Sequence, residues 1–189
     1  METIGQAAQG LRRELALGPP TTLPGDLVAE ESGASVPTAV RPGGLPSRAL
    51  APDDPARLDL LLTLPRVHLV VDGYNVTKTG YGELSLEQQR GRLVAGLAVL
   101  AAQTGAEVTV VFDGAERVAP APVAPRGVRV LFSRAGETAD EVVRQLVRAE
   151  PVGRPVVVVS SDREVADGVR RSGAHAIGAV ALVRRLGRS

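Results

Sequence analysis

The chain has no cysteine. Disulfides and thiolate metal sites are therefore excluded, which suits a cytoplasmic protein. Aromatic residues make up only 2% of it: Tyr74, Tyr81, Phe112 and Phe132. A stacking platform for single-stranded nucleic acid usually needs more rings on one surface. Lysine occurs once, at Lys78. The N-terminus carries Glu2, Arg12, Arg13 and Glu14 without an apolar h-region, so no signal peptide is expected. No apolar run approaches the ~20 residues that a membrane span needs. These absences point to a soluble protein.

At 189 residues, 44% of them hydrophobic and mostly Ala, Val and Leu, the chain can build one ordinary domain with material to spare. Net charge is +1 but unevenly spread. Residues 1–65 hold five Arg against eight Asp and Glu, whereas residues 66–189 hold 16 Arg and Lys78 against 13 acids. A mild positive excess around an acidic site fits a polyanionic substrate. Coding bias toward arginine accounts for the composition equally well.

The chain divides in two. Residues 1–54 form an N-terminal extension, in which Ile4 to Leu17 could be a short helix. From Gly18 to Asp54 the Pro, Gly and Ser content breaks any periodicity and reads as linker or disordered chain. The domain follows over residues 55–189, led by a helix at about 55–64 with Pro55 at its first position and Leu58, Leu61 and Leu62 on one face. Strands and helices then alternate. Ser85 to Gln88 and Thr138 to Glu141 both fit capping boxes, opening helices through about Gln103 and Ala149, the first closed by Gly105. Alternation of this kind predicts an α/β fold, a three-layer α/β/α sandwich around a mainly parallel sheet.

Three apolar runs each end at an aspartate. Val67 to Val71 ends at Asp72, Val108 to Phe112 at Asp113, and Val156 to Val159 at Ser160-Ser161-Asp162. Continuous β-branched runs read as strands buried on both faces. Open parallel sheets bind ligands beyond the carboxyl ends of their strands. If the three strands are neighbours, their carboxylates converge and repel, which calls for a divalent cation or raised pKa values. Asp140 joins them from the first turn of a helix, where an acid is also favoured by the helix dipole. Asp72-Gly73 and Asp113-Gly114 could be simple turns, and Asp162 a helix cap. Each has a structural reading alone, but four acids at one edge together point to a site. Lys78, Arg134 and Arg163 are placed in loops or helix starts at the same edge, as phosphate contacts or as solvated charges. His68, projecting from a buried strand, and His175, opening the last strand, read as structural.

Asp72-Gly73-Tyr74-Asn75, Val111-Phe112-Asp113, Gly136-Glu137-Thr138-Ala139-Asp140 and Ser160-Ser161-Asp162-Arg163 stand in an order that resembles YacP-like NYN domains. These are relatives of PIN-domain nucleases, and the resemblance covers roughly Arg66 to Leu186. It implies a PIN-like fold with an acidic pocket that binds Mg²⁺ or Mn²⁺ and cuts RNA. By position, it implies Asp72, Asp140 and Asp162 as catalytic and metal-site acids, with Asp113 at the metal's margin. Asn75 and Ser161 match polar pocket positions. The reaction implied is phosphodiester hydrolysis, with cations that acidify water and stabilise charge on the phosphate. RNA is the implied partner, free or presented by a ribosome or another RNA-bound protein.

Rival phosphate chemistries fit less well. A receiver domain or a haloacid-dehalogenase-like phosphatase needs a late lysine, and the single lysine here follows the first strand. The latter also needs a second aspartate where Tyr74 stands. Neither a P-loop nor a Gly-x-Gly-x-x-Gly fingerprint after the first strand is present. The alternative from another class is a non-catalytic RNA-binding module acting with a partner.

Overall fold

The computed structural model describes residues 50–114 and 124–188. The expected helix over Ile4 to Leu17 and nearly all of the expected linker lie outside them, as does much of the Pro-broken loop after the second apolar run. In chain order the elements are α1 (Pro55–Leu62), β1 (His68–Asp72), α2 (Gly73–Tyr81), α3 (Leu86–Thr104), β2 (Glu107–Phe112) and β3 (Val128–Phe132). They are followed by α4 (Ala139–Ala149), β4 (Val156–Val159), α5 (Arg163–Arg171), β5 (His175–Ile177) and α6 (Ala179–Leu186).

The five strands are all parallel, in the order β3-β2-β1-β4-β5. β1 is therefore central, and the direction of winding reverses between β1 and β4. The strand pleat sends alternate side chains to opposite faces. Leu69 and Val71 join one buried cluster with the apolar faces of α1, α2, α3 and α6, including Leu58, Leu93, Leu97 and Leu182. Val70 and Val111 join a second cluster with α4 and α5, through Val143, Val147, Val165 and Val169. Burial of both sheet faces is why these strands read as unbroken apolar runs. Each fully buried Leu contributes about 2 kcal/mol from its removal from water.

Helix ends follow local chemistry. Ser85 and Thr138 each close a reciprocal capping box, and α3 stops at Gly105 with φ of 70°. The first strand end departs from expectation. Asp72-Gly73-Tyr74-Asn75 is not a turn: α2 starts directly at Gly73, and Asp72 is its N-cap. Lys78 consequently lies inside a helix, not in a loop or at a helix start.

At the opposite end of the sheet, buried His68 is bonded to Glu150 through Nδ1 and to the Thr109 hydroxyl through Nε2 at 2.8 Å. Arg154 donates to both Glu150 and Glu107. This network ties the beginnings of β1 and β2 to the segment before β4, far from the aspartates.

Candidate active site

The pleat that sends Val70 toward α4 and α5 also sends Asp72 there, two residues on. The N-termini of those two helices meet it at the carboxyl edge of the sheet, beside the reversal between β1 and β4. That crevice is where an open parallel sheet binds its ligand. An open cleft of about 340 Å³ lies there, lined by Asp72, Asp113, Asp140 and Asp162 with Tyr74, Asn75, Lys78 and Thr138. Ser161, Arg134 and Arg163 are not in its lining. All three are exposed, Ser161 and Arg163 on either side of Asp162 and Arg134 beyond the end of β3.

Asp72 is the buried member of the group, 7% exposed. Its Oδ1 accepts the Asn75 N–H at 3.3 Å, and its Oδ2 accepts the Ser160 hydroxyl at 3.0 Å. Burial pushes its pKa up to about 6; the two hydrogen bonds oppose this, and the charges of Asp140 and Asp162 add to it. Asp140 is also raised, first by burial and then by Asp162, with Arg144 acting against the shift. Asp162 is exposed and caps α5, one oxygen taking the N–H groups of Glu164 at 2.7 Å and Val165 at 3.2 Å.

The polar residues at the edge brace the acids. The Asn75 side-chain oxygen accepts the Ser161 N–H at 2.8 Å, clamping the first turn of α2 to the segment that follows β4. Gly178, before α6, has no side chain to cap that helix; the Ser161 hydroxyl accepts the Ala179 N–H at 3.0 Å in its place. Tyr74 forms one wall. Its hydroxyl takes a bond from buried Arg90 at 2.9 Å, and its ring meets Phe112 edge-on with centroids 5.1 Å apart. Lys78 Nζ lies 5.9 Å from the centre of that ring.

Ser160 was given no role in the sequence reading, although it directly precedes Ser161 and Asp162, which were. Its hydroxyl donates to Asp72 and accepts the Asp162 N–H at 3.1 Å, so one atom fixes two of the acids. Its burial at a strand end, directly before a capping aspartate, was the available signal. Ser160→Ala removes the bond that favours charged Asp72. If the chain cuts RNA as the resemblance implies, the acidic limb of its pH profile should move to higher pH, with activity at neutral pH about twofold lower. An unmoved limb would show that Ser160 leaves Asp72 alone.

The donor set suits a hard divalent ion, because every candidate ligand is a carboxylate oxygen. Among the described residues, no three acids gather closely enough to hold an ion unaided. Mg²⁺ does not need three, since it binds through one or two carboxylates and keeps several waters, for which an open cleft has room. The group fits a hydrated ion of this kind.

Residues 69–189 match the family model of the YacP-like NYN domain. The chain belongs to that family. The YacP-like NYN domain has a PIN-like fold and falls within a ribonuclease family. Among solved structures, the chain is similar to Rae1 (YacP) from Bacillus subtilis, at 28% identity over 64% of this chain and 73% of that one, with a TM-score of 0.53. A tryptophan-to-leucine variant of Rae1 gives 28% identity, 64% and 74% coverage, and a TM-score of 0.54. A comparison with curated proteins finds no match. No helix among the described residues of this NYN domain is long and apolar enough to cross a membrane.

Proposed function

We propose that the chain is a metal-dependent ribonuclease that hydrolyses RNA phosphodiester bonds endonucleolytically. The observation that carries this reading is the convergence of four carboxylates from β1, β2, α4 and α5 on one open cleft at the sheet's reversal point. Asp72, Asp140 and Asp162 are the catalytic acids, and with Asp113 at the margin they would hold Mg²⁺ or Mn²⁺. Once bound, the cation supplies charge stabilisation at the phosphate and acidifies water. Buried Asp72, with a pKa of about 6, is the acid closest to accepting a proton near neutrality. Lys78 is the cation in the cleft lining and would meet a substrate phosphate there, with Arg134 and Arg163 outside it. Asn75 and Ser161 contact substrate with whatever hydrogen-bonding capacity their bracing bonds leave.

The assay is cleavage of a labelled structured RNA with Mn²⁺ or Mg²⁺, beside EDTA and Asp72→Asn controls. Metal-dependent products that vanish in both controls support the reading. RNA bound without products favours the second reading, a binding module acting with a ribosome or another RNA-bound partner. The observation on that side is that, among the described residues, no three acids group so as to hold an ion unaided. Neither products nor binding would sink the RNA reading for the isolated protein.

A further inference from the structure

α4 and α5 run side by side on one face of the sheet, both starting at the acidic cleft. Asp140, Arg144 and Arg148 recur every four residues and share one stripe of α4. Glu164, Gly168 and Arg171 form a corresponding stripe on α5. The stripes face each other. At the cleft end, Asp140 feels the charge of Glu164. One turn further on, a Cβ placed on Gly168 would stand 3.3 Å from Nε of Arg144 and 3.9 Å from Nη2 of Arg171.

Gly168 is not among the residues with positive φ, so its backbone does not require glycine. In mid-helix it costs about 1 kcal/mol relative to alanine. Its missing side chain leaves room for the Arg144 side chain across α5. Two guanidinium groups thus come within 4 Å of one point. The ion pair of Arg144 with Asp140 is long, at 3.9 Å, and among the described residues Arg171 has no hydrogen bond or ion pair. Like charges set together in this way repel until an anion lies between them, and guanidinium pairs suit phosphate oxygens.

We propose that the groove between α4 and α5 is a phosphate subsite, in which Arg144 and Arg171 meet over Gly168 and hold the RNA backbone beside the scissile bond. The proposal rests on the nuclease reading and extends it. Arg144 lies four residues from Asp140, about 6 Å along the helix axis. That is comparable with one nucleotide of an extended strand. A strand with its scissile phosphate at the acids therefore lays its neighbouring phosphate on the arginines. The groove runs from acid to base, so the metal end and the arginine end take different phosphates.

The test titrates a fluorescent single-stranded RNA with the full chain by anisotropy, in EDTA so that nothing is cut, across a salt series. The double variant Arg144→Ala, Arg171→Ala should bind about tenfold more weakly, with a salt slope flatter by about one. The double lysine variant keeps both charges and should keep the slope. Gly168→Glu places a carboxylate in the groove and should weaken binding while leaving both arginines in place. Unchanged affinity and slope in the double alanine variant, with the native chain still binding RNA, would overturn the subsite and leave the nuclease reading standing. A native chain that binds no RNA at low salt overturns both.

Discussion

Asp72→Asn is expected to abolish metal-dependent RNA cleavage while making the metal-free protein more stable. Asparagine keeps the shape and the side-chain oxygen that takes the Asn75 N–H, but it carries no charge for a cation. Loss of a charge aimed at the reacting phosphate costs at least about a hundredfold in rate. Stability should move the other way. Burial and neighbouring carboxylates raise Asp72 from 3.8 to about 6, so the folded chain binds its proton more tightly than the unfolded chain. That contribution is fully present below about pH 4 and is lost as pH rises through about 6, a change on the order of 3 kcal/mol. Denaturant titrations in EDTA between pH 4 and 7 should show the native protein losing stability relative to Asp72→Asn. Mg²⁺ should restore the native protein and leave the variant unmoved. Parallel stability curves for the two proteins would mean that Asp72 is under no strain.

Gly73→Ala should be among the most damaging small substitutions in the fold. α2 leaves β1 so abruptly that a Cβ at Gly73 would enter the Phe112 ring and stand 2.9 Å from the Val111 carbonyl oxygen. Phe112 has nowhere to go. It is fully buried, with Tyr74 edge-on at 5.1 Å and Phe132 stacked at 5.7 Å. Overpacking of this kind costs about 3 kcal/mol, which lowers the melting temperature by about 10 °C. Asp72 is the preceding residue, so cleavage should fall as well. Gly91→Ala is the control: nothing lies within 4 Å of its would-be Cβ on α3. That change should stabilise the protein by about 1 kcal/mol. Equal melting temperatures for the two alanine variants would contradict the packing described here.

The strands and the capping boxes could be read in the sequence because they are set by local, repeated chemistry. Val156 to Val159 is apolar throughout because helices cover both of its faces. Ser85 with Gln88 and Thr138 with Glu141 announce their helices within four residues. α2 could not be read in this way. Gly73, Asn75, Thr77, Thr79 and Gly80 are weak helix formers, and the helix is held by Asp72 capping and by packing against distant residues, Gly80 against Val183 among them. The acidic edge was visible because strand ends in a parallel sheet fall at one place. What the neighbouring polar groups hold was not: Asn75 and Ser161 look alike as polar positions, yet one clamps α2 to the segment after β4 and the other caps α6. The Arg144–Arg171 groove depends on the packing of α4 against α5, and no spacing within either helix announces it.

The central position of β1 also bears on biosynthesis. Ser160 braces an Asp72 made 88 residues earlier, and the Asn75 clamp spans 86 residues. At ribosomal speeds, on the order of ten seconds separates the first acid from the last. Throughout that interval β1 lacks one of its two neighbours, and the cleft has no far wall. Contacts this distant in sequence form late. A nascent chain thus has no complete acidic cleft until Asp162 has been added, and a truncation before Asp162 never assembles one.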